Sequence, residues 1–291
     1  MTRHGFAIGM MVAQAVLFAA ETAAVHEIGS RASVMQLALV RGIGGVALAI
    51  VIARNSGLPV LRTRQLLLQL ARGFVSLAYL WVMMYAFVRM PFADATAISY
   101  TQAGYIAIFS ILILREPVSH NQWLAGALSM GGAVLIAKPA FAGWEPAYLI
   151  AFFGTGLNGL AFVLNRYLQR QDNEATTMFY SNALVILGNA PSLATGPLSF
   201  GSLPWLPGVL IFGPLGMAAG IKAVRHASAS SLAPYTALRL VIAACGGVII
   251  FRELPDAFSA IGVALILVSC MLTSESVLHG KFFPWRAART A

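Results

Sequence analysis

Apolar residues fall into ten runs, each close to the roughly 20 residues that a helix needs to cross the hydrocarbon layer of a membrane. Charged residues, proline or glycine separate the runs, and the connections are short. The runs lie at 6–25, 34–53, 66–88, 93–114, 121–137, 147–168, 176–194, 205–221, 230–251 and 257–272. This pattern predicts an all-α membrane protein with ten transmembrane helices and no soluble domain.

One stretch of the chain occurs twice. Tyr100 is followed by an apolar segment that ends at Glu116, and Tyr235 is followed by a similar segment that ends at Glu253. Three polar or aromatic positions of the first run recur with the same spacing in the sixth run, namely Gln14, Phe18 and Glu21 as Asn158, Phe162 and Asn165. The chain is therefore predicted to contain an internal duplication, with repeats at residues 6–137 and 147–273.

Each predicted repeat has five helices, an odd number, so the second repeat enters the membrane upside down relative to the first. Inverted repeats with a binding site at their interface, near the bilayer midplane, are typical of secondary transporters. The sequence therefore predicts two inverted five-helix repeats with a central site between them.

Composition and charge agree with a membrane protein. Hydrophobic residues make up 59% of the 291 positions and charged residues only 10%, whereas about a quarter of the residues of a soluble domain are charged. With a cytoplasmic N-terminus, twelve of the 19 Lys and Arg residues lie on the cytoplasmic side and four lie outside. The positive-inside rule then places both termini in the cytoplasm. The net charge of +9 is thus interpreted as a topology signal rather than as a nucleic-acid-binding surface.

The duplicated segments resemble the fourth helices of the drug/metabolite transporter superfamily, specifically of its EamA-type members. The resemblance covers roughly residues 6–273. A proline that the family often carries near the start of this helix is present as Pro234 but is Ser99 in the first copy. The glycine that usually precedes the final glutamate is replaced by Arg115 or Arg252.

This resemblance implies carrier-mediated movement of small metabolites, often outward, through a cavity between the repeats. Within the family, the aromatic content is most similar to that of bacterial aromatic amino acid exporters. The resemblance also implies a multi-pass protein of the bacterial inner membrane.

The predicted substrate contacts are polar and aromatic side chains on helices that should line such a cavity. Aromatic rings stack on the flat apolar part of a ligand, and tyrosine hydroxyls form hydrogen bonds with its polar end. Amide side chains supply further polar lining. Hydrogen bonding between helices explains any one of these amides equally well. These candidates are Gln14, Phe18, Tyr79, Tyr100, Gln102, Asn158, Phe162 and Tyr235. Tyr105 also lies deep in its apolar run, so anchoring at the membrane interface does not explain it well.

Three ionisable residues in the apolar runs are candidates for charge binding or coupling, because charges inside a bilayer are costly. Arg41 either binds a substrate carboxylate or forms a structural pair with Glu21. Glu21 either couples transport to protons or is neutralised by that pair. Arg239 either faces the cavity or extends along the helix to the membrane surface. Arg72 can also extend to the membrane surface in this way.

No motif of an enzyme is found. The five histidines lie at predicted helix ends or in loops without a ligand-spaced partner, and no nucleotide-binding loop is present. The sequence therefore predicts a secondary transporter of aromatic or other apolar amino acids, without cofactor or metal. Its expected partners are a small-molecule substrate and the lipid bilayer, with no nucleic acid and no obligate protein partner. A carrier for nucleotide sugars or cationic drugs, and a channel-like facilitator, are the alternatives.

Overall fold

The structure is a computed structural model that describes residues 3–28, 32–57, 59–89, 92–137, 146–195, 204–242 and 257–278. All regular structure within these residues is helical. The α-helices are α1 (Arg3–Ile28), α2 (Val34–Ser56), α3 (Leu66–Arg89), α4 (Phe92–Ser99), α5 (Gln102–Phe109), α6 (His120–Ala137), α7 (Pro146–Leu168), α8 (Glu174–Asn189), α9 (Leu206–His226), α10 (Ala229–Leu232) and α11 (Ala257–Leu278). A π-helix at Ser110–Leu114 and 3-10 helices at Ala190–Thr195 and Ala233–Ala237 extend three of them, and residues 238–242 are again α-helical.

Local sequence signals explain several helix ends. Ser33 and Gln36 form a capping box at the start of α2, and Gly57 ends that helix in the left-handed conformation at φ 63°. Asn173 caps α8 by accepting a hydrogen bond from the Thr176 amide at 2.8 Å. Arg115 follows the π-helix at φ 53°, a conformation that favours glycine.

Six helical stretches in the described residues are long and apolar enough to cross a membrane. They are Gly5–Val25, Val34–Ser56, Leu66–Ala86, Ala97–Leu114, Pro146–Leu168 and Leu206–His226, and Ala257–Thr273 is a shorter apolar helix. The all-helical membrane fold is thus confirmed, while the count of ten spans stays a prediction. The predicted motif ending at Arg252 and Glu253 lies outside the described residues.

Two of the predicted spans are interrupted at equivalent positions. The fourth breaks between α4 and α5 at Tyr100 and Thr101, whose amides bond to carbonyl oxygens three residues back. The ninth changes to 3-10 geometry over Ala233–Ala237, which contains Tyr235. A proline accompanies only the second interruption, so the break at Tyr100 is not a proline effect.

The helices pack in four extensive pairs, each joining an element before residue 138 to one after residue 145. These pairs are α1 with α9, α3 with α7, α2 with α8, and α6 with α11. Glycines permit the closest crossings. A Cβ added at Gly132 of α6 would lie 2.5 Å from the Gly262 carbonyl oxygen of α11, so neither position accommodates a side chain without movement of the helices.

Candidate substrate-binding site

A cavity of about 710 Å³, counted with its open mouth, lies where α1, α3 and α7 meet the two interrupted segments. Its wall contains residues from both halves of the chain. The lining residues are Met11, Gln14, Ala15, Phe18, Tyr79, Ser99, Tyr100, Gln102, Asn158, Phe162, Tyr235, Thr236 and Arg239.

Helical spacing explains how α1 and α7 contribute to the wall. Gln14 and Phe18 are four residues apart on α1, and Asn158 and Phe162 are four residues apart on α7, so each pair shares one helix face. The amide of Asn158 donates to the side-chain oxygen of Gln102 in a very short hydrogen bond. The two halves of the chain are therefore joined by an amide pair in the cavity wall.

The cavity tyrosines differ in the state of their hydroxyl groups. The Tyr235 hydroxyl donates to the backbone carbonyl oxygen of Cys270 in α11 at 2.9 Å. The hydroxyls of Tyr79 and Tyr100 have no hydrogen-bond partner among the described residues, which leaves both groups available to a ligand. Tyr105 does not line the cavity; its ring lies 3.3 Å from the position of a Cβ added at Gly156 in α7.

The charged residues of α1 and α2 form a pair beside the cavity. Arg41 Nε lies 3.0 Å from Glu21 Oε1, and the Glu21 residue is only 8% exposed. The Arg41 guanidinium lies 5.3 Å from the centre of the Phe18 ring, in a cation–π contact. Neither Glu21 nor Arg41 is among the lining residues, and Arg41 contacts the lining residue Phe18.

Arg239 does line the cavity. Its guanidinium lies 5.8 Å from the centre of the Phe18 ring and donates a hydrogen bond to the hydroxyl of Thr22 on α1. The side chain thus turns toward α1. Of the two interpretations of Arg239 left open by the sequence, this orientation agrees with the one in which it faces the cavity.

The structure therefore brings all eight predicted substrate-contact residues, together with Arg239, to one cavity. Their part in substrate binding stays a prediction. Sequence reasoning missed Ser99 and Thr236, whose only signal was their position beside the two duplicated tyrosines.

An extension of the Arg72 side chain to the membrane surface was one interpretation of the sequence, and the structure shows the residue buried instead. The residue is 5% exposed, and its guanidinium donates a hydrogen bond to Ser181 of α8. It lies beside a buried set of polar side chains in which Gln69 donates to Thr177 and to Asp172, at 3.2 and 2.8 Å. These contacts hold α3 against α8, and Arg72 is not among the cavity residues.

Polar contacts join the two halves of the chain at the end of the bundle where α7 and α9 finish. Glu116 Oε1 lies 3.3 Å from Arg166 Nε and 3.9 Å from Arg170 Nη2. Arg166 also donates to the carbonyl oxygen of Val224 at 2.7 Å. These residues, together with Asp172 and its partners Thr63 and Gln69, are called the polar layer below.

Comparison with known proteins agrees with a transport function. Residues 5–138 match the model of the EamA-like transporter family. The pseudopaline exporter CntI of Pseudomonas aeruginosa is 24% identical over 263 residues, which cover 89% of this chain and 92% of that protein. The S-adenosylmethionine uptake transporter of Rickettsia prowazekii is 24% identical over 217 residues, which cover 72% of each protein.

A solved crystal structure shares the fold, with a TM-score of 0.78 and 18% sequence identity, and the match covers 95% of this chain and 99% of that one. The spans, the cavity and the matched relatives agree with one another. Residues 5–138 thus resemble the EamA-like transporter family, and the chain is similar over most of its length to bacterial membrane transporters.

Proposed function

We propose that the protein is a secondary carrier that exports small organic metabolites across the bacterial inner membrane, with aromatic or other apolar amino acids as substrates. The observation that carries this proposal is the cavity, whose wall combines aromatic rings and amides from both halves of the chain. It also contains the hydroxyls of Tyr79 and Tyr100, which have no hydrogen-bond partner among the described residues. In this proposal the lining residues contact the substrate directly.

An inverted repeat, with units at residues 6–137 and 147–273, is supported by how the helices pair. Exchange of each helix with its counterpart in the other repeat converts the α1–α9 pair into the α7–α3 pair and leaves the α2–α8 and α6–α11 pairs unchanged. The cavity wall contains three pairs of repeat-related residues: Gln14 with Asn158, Phe18 with Phe162, and Tyr100 with Tyr235. Both tyrosines also mark the point where their helix is interrupted.

The chemistry of the cavity supports the proposed substrate class. Tyr79, Tyr100 and Phe162 offer ring faces to a flat apolar side chain, and the free tyrosine hydroxyls offer hydrogen bonds to its polar end. The relatives named as exporter and as uptake transporter support small metabolites as cargo but differ in direction. Export is the direction we propose for this chain.

Alternating access is supported by the polar layer, which joins the halves at one end of the bundle through ion pairs and hydrogen bonds of side chains. In the predicted topology this end faces the cytoplasm, and both termini lie on the same side. Rocking of one repeat against the other would break these contacts and open the cavity to that side. A channel, by contrast, is open to both sides in one conformation.

The proposal is tested by counterflow in proteoliposomes. Vesicles that contain the purified protein and are preloaded with unlabelled phenylalanine should accumulate labelled phenylalanine transiently and with saturation, whereas protein-free vesicles should not. Tyr105→Phe, which changes a tyrosine of the same segment outside the cavity, is the matched control for cavity variants. Equal accumulation in protein-containing and protein-free vesicles, across the aromatic and apolar amino acids, would remove the substrate proposal.

A further inference from the structure

We infer that Arg239 is the anion-binding residue of the cavity, and that the site selects small molecules that present a carboxylate next to an aromatic or apolar group. This inference rests on the proposed transport role of the cavity and names the residue that sets its charge selectivity.

The arginines near the cavity differ in whether a carboxylate or another helix holds them. Arg41 is neutralised by Glu21, whose carboxylate lies 3.0 Å from its guanidinium. Arg72 is held at the α3–α8 contact, away from the cavity wall. Among the described residues, Arg239 is therefore the cation that lines the cavity and has no carboxylate within 4.0 Å.

The positive charge of Arg239 is not balanced by a described carboxylate. A cation in the wall of a transmembrane cavity is stabilised by a nearby anion or by several hydrogen bonds. The described partners of Arg239 are neutral: the hydroxyl of Thr22 and the face of the Phe18 ring. Two cations thus share contact with one ring, since Arg41 lies 5.3 Å and Arg239 lies 5.8 Å from its centre. An anionic ligand relieves the excess positive charge.

The cavity contains groups that suit both ends of an aromatic carboxylate. A guanidinium binds a carboxylate through two parallel N–H groups, and such charge-assisted hydrogen bonds are about twice as strong as neutral ones. Tyr79 and Tyr100 line the same cavity with hydroxyls that have no described partner. Their rings form the apolar wall, so one cavity offers an anion site and an aromatic site side by side.

The Glu21–Arg41 pair then has a positioning role. It holds the Phe18 ring through the Arg41 contact and keeps the second guanidinium from competing for the ligand. Substrate selection by charge is left to Arg239.

The test compares two probes of nearly the same shape, phenylacetate and phenylacetamide, by their effect on the thermal unfolding of the purified protein in detergent. Wild-type protein should bind the anion about tenfold or more tightly than the amide, as expected for a charge-assisted hydrogen bond. Arg239→Gln should reduce this preference to near unity, and Arg239→Lys should retain part of it. Arg54→Gln, the same change at an exposed arginine of α2, should leave the preference intact.

Two results would overturn the inference: an unchanged preference in Arg239→Gln, or equal binding of both probes by the wild-type protein. The second result needs no variant and holds even where Arg239→Gln fails to fold. Failure of the transport proposal looks different, because counterflow of amino acids would then be absent while the preference for the anionic probe persists and depends on Arg239.

Discussion

Tyr100 and Tyr235 occupy equivalent positions in the duplicated segments, yet their hydroxyl groups have different surroundings. Tyr235 is 4% exposed and donates to the Cys270 carbonyl oxygen, whereas the Tyr100 hydroxyl has no described partner in the cavity. Tyr235 therefore attaches its helix to α11. The Tyr100 hydroxyl, which has no partner among the described residues, is available to a ligand.

Removal of the two hydroxyls should have opposite consequences. Tyr235→Phe deletes a buried hydrogen bond, so the free energy of unfolding should fall by about 1 kcal/mol, with little change in substrate affinity. Tyr100→Phe should leave the free energy of unfolding unchanged and weaken binding of the transported amino acid. Denaturant unfolding in detergent and the KM of counterflow measure the two effects, and equal behaviour of both variants would contradict the assigned roles.

Sequence reasoning located residues on faces but not the direction of every long side chain. The repeat pattern was sufficient to identify Gln14, Phe18, Asn158 and Phe162 as one lining set, because helical periodicity fixes which residues share a face. The orientation of Arg239 was not predictable in this way. A 3-10 segment has about 3.0 residues per turn instead of 3.6, so the Ala233–Ala237 turn changes the direction of Arg239 relative to that in a regular helix.

At the scale of the elements, the polar layer links helix ends that belong to different halves. Glu116 follows the π-helix after α5, and its partner Arg166 lies in the last turn of α7. The pair is mostly shielded from solvent, with side-chain exposures of 9% and 16%. The Lys222–Glu174 pair, at 3.3 Å, offers a comparison because both of its residues belong to the second half.

Glu116→Gln should weaken the closed state of this layer. Loss of about 1 kcal/mol shifts a two-state equilibrium by roughly fivefold. A cysteine introduced at Thr236 in the cavity should therefore react roughly fivefold faster with an impermeant maleimide added to inside-out vesicles. Glu174→Gln should not change that rate. Labelling of the Glu116→Gln protein at the rate of its parent would show that the layer is not a barrier.

The glycine contacts and helix interruptions show what the sequence leaves open at this scale. Apolar runs predicted helix positions to within a few residues, for example 34–53 against the observed Val34–Ser56. They did not predict the break at Tyr100, because no proline or glycine marks it. A single sequence does not record the tertiary contacts around such a position.

At the scale of the whole molecule, the account depends on two halves that cross the membrane with opposite orientations. An odd number of spans per repeat would make the halves antiparallel, and the described residues contain six helical stretches of spanning length. The ordering of charge along the sequence, the paired packing of helices across residues 138–145 and the shared cavity all agree with this arrangement.

The most direct measurement is the accessibility of single cysteines at equivalent points of the two repeats. Cys245 and Cys270 are first replaced by alanine, and cysteine is then introduced either at Ser119, before α6, or at Ala257, the exposed first residue of α11. An impermeant maleimide added to intact cells should label the protein with cysteine at position 257 and should label the one at position 119 only after permeabilisation. Labelling of both from the same side would contradict the inverted repeat, and with it the carrier mechanism.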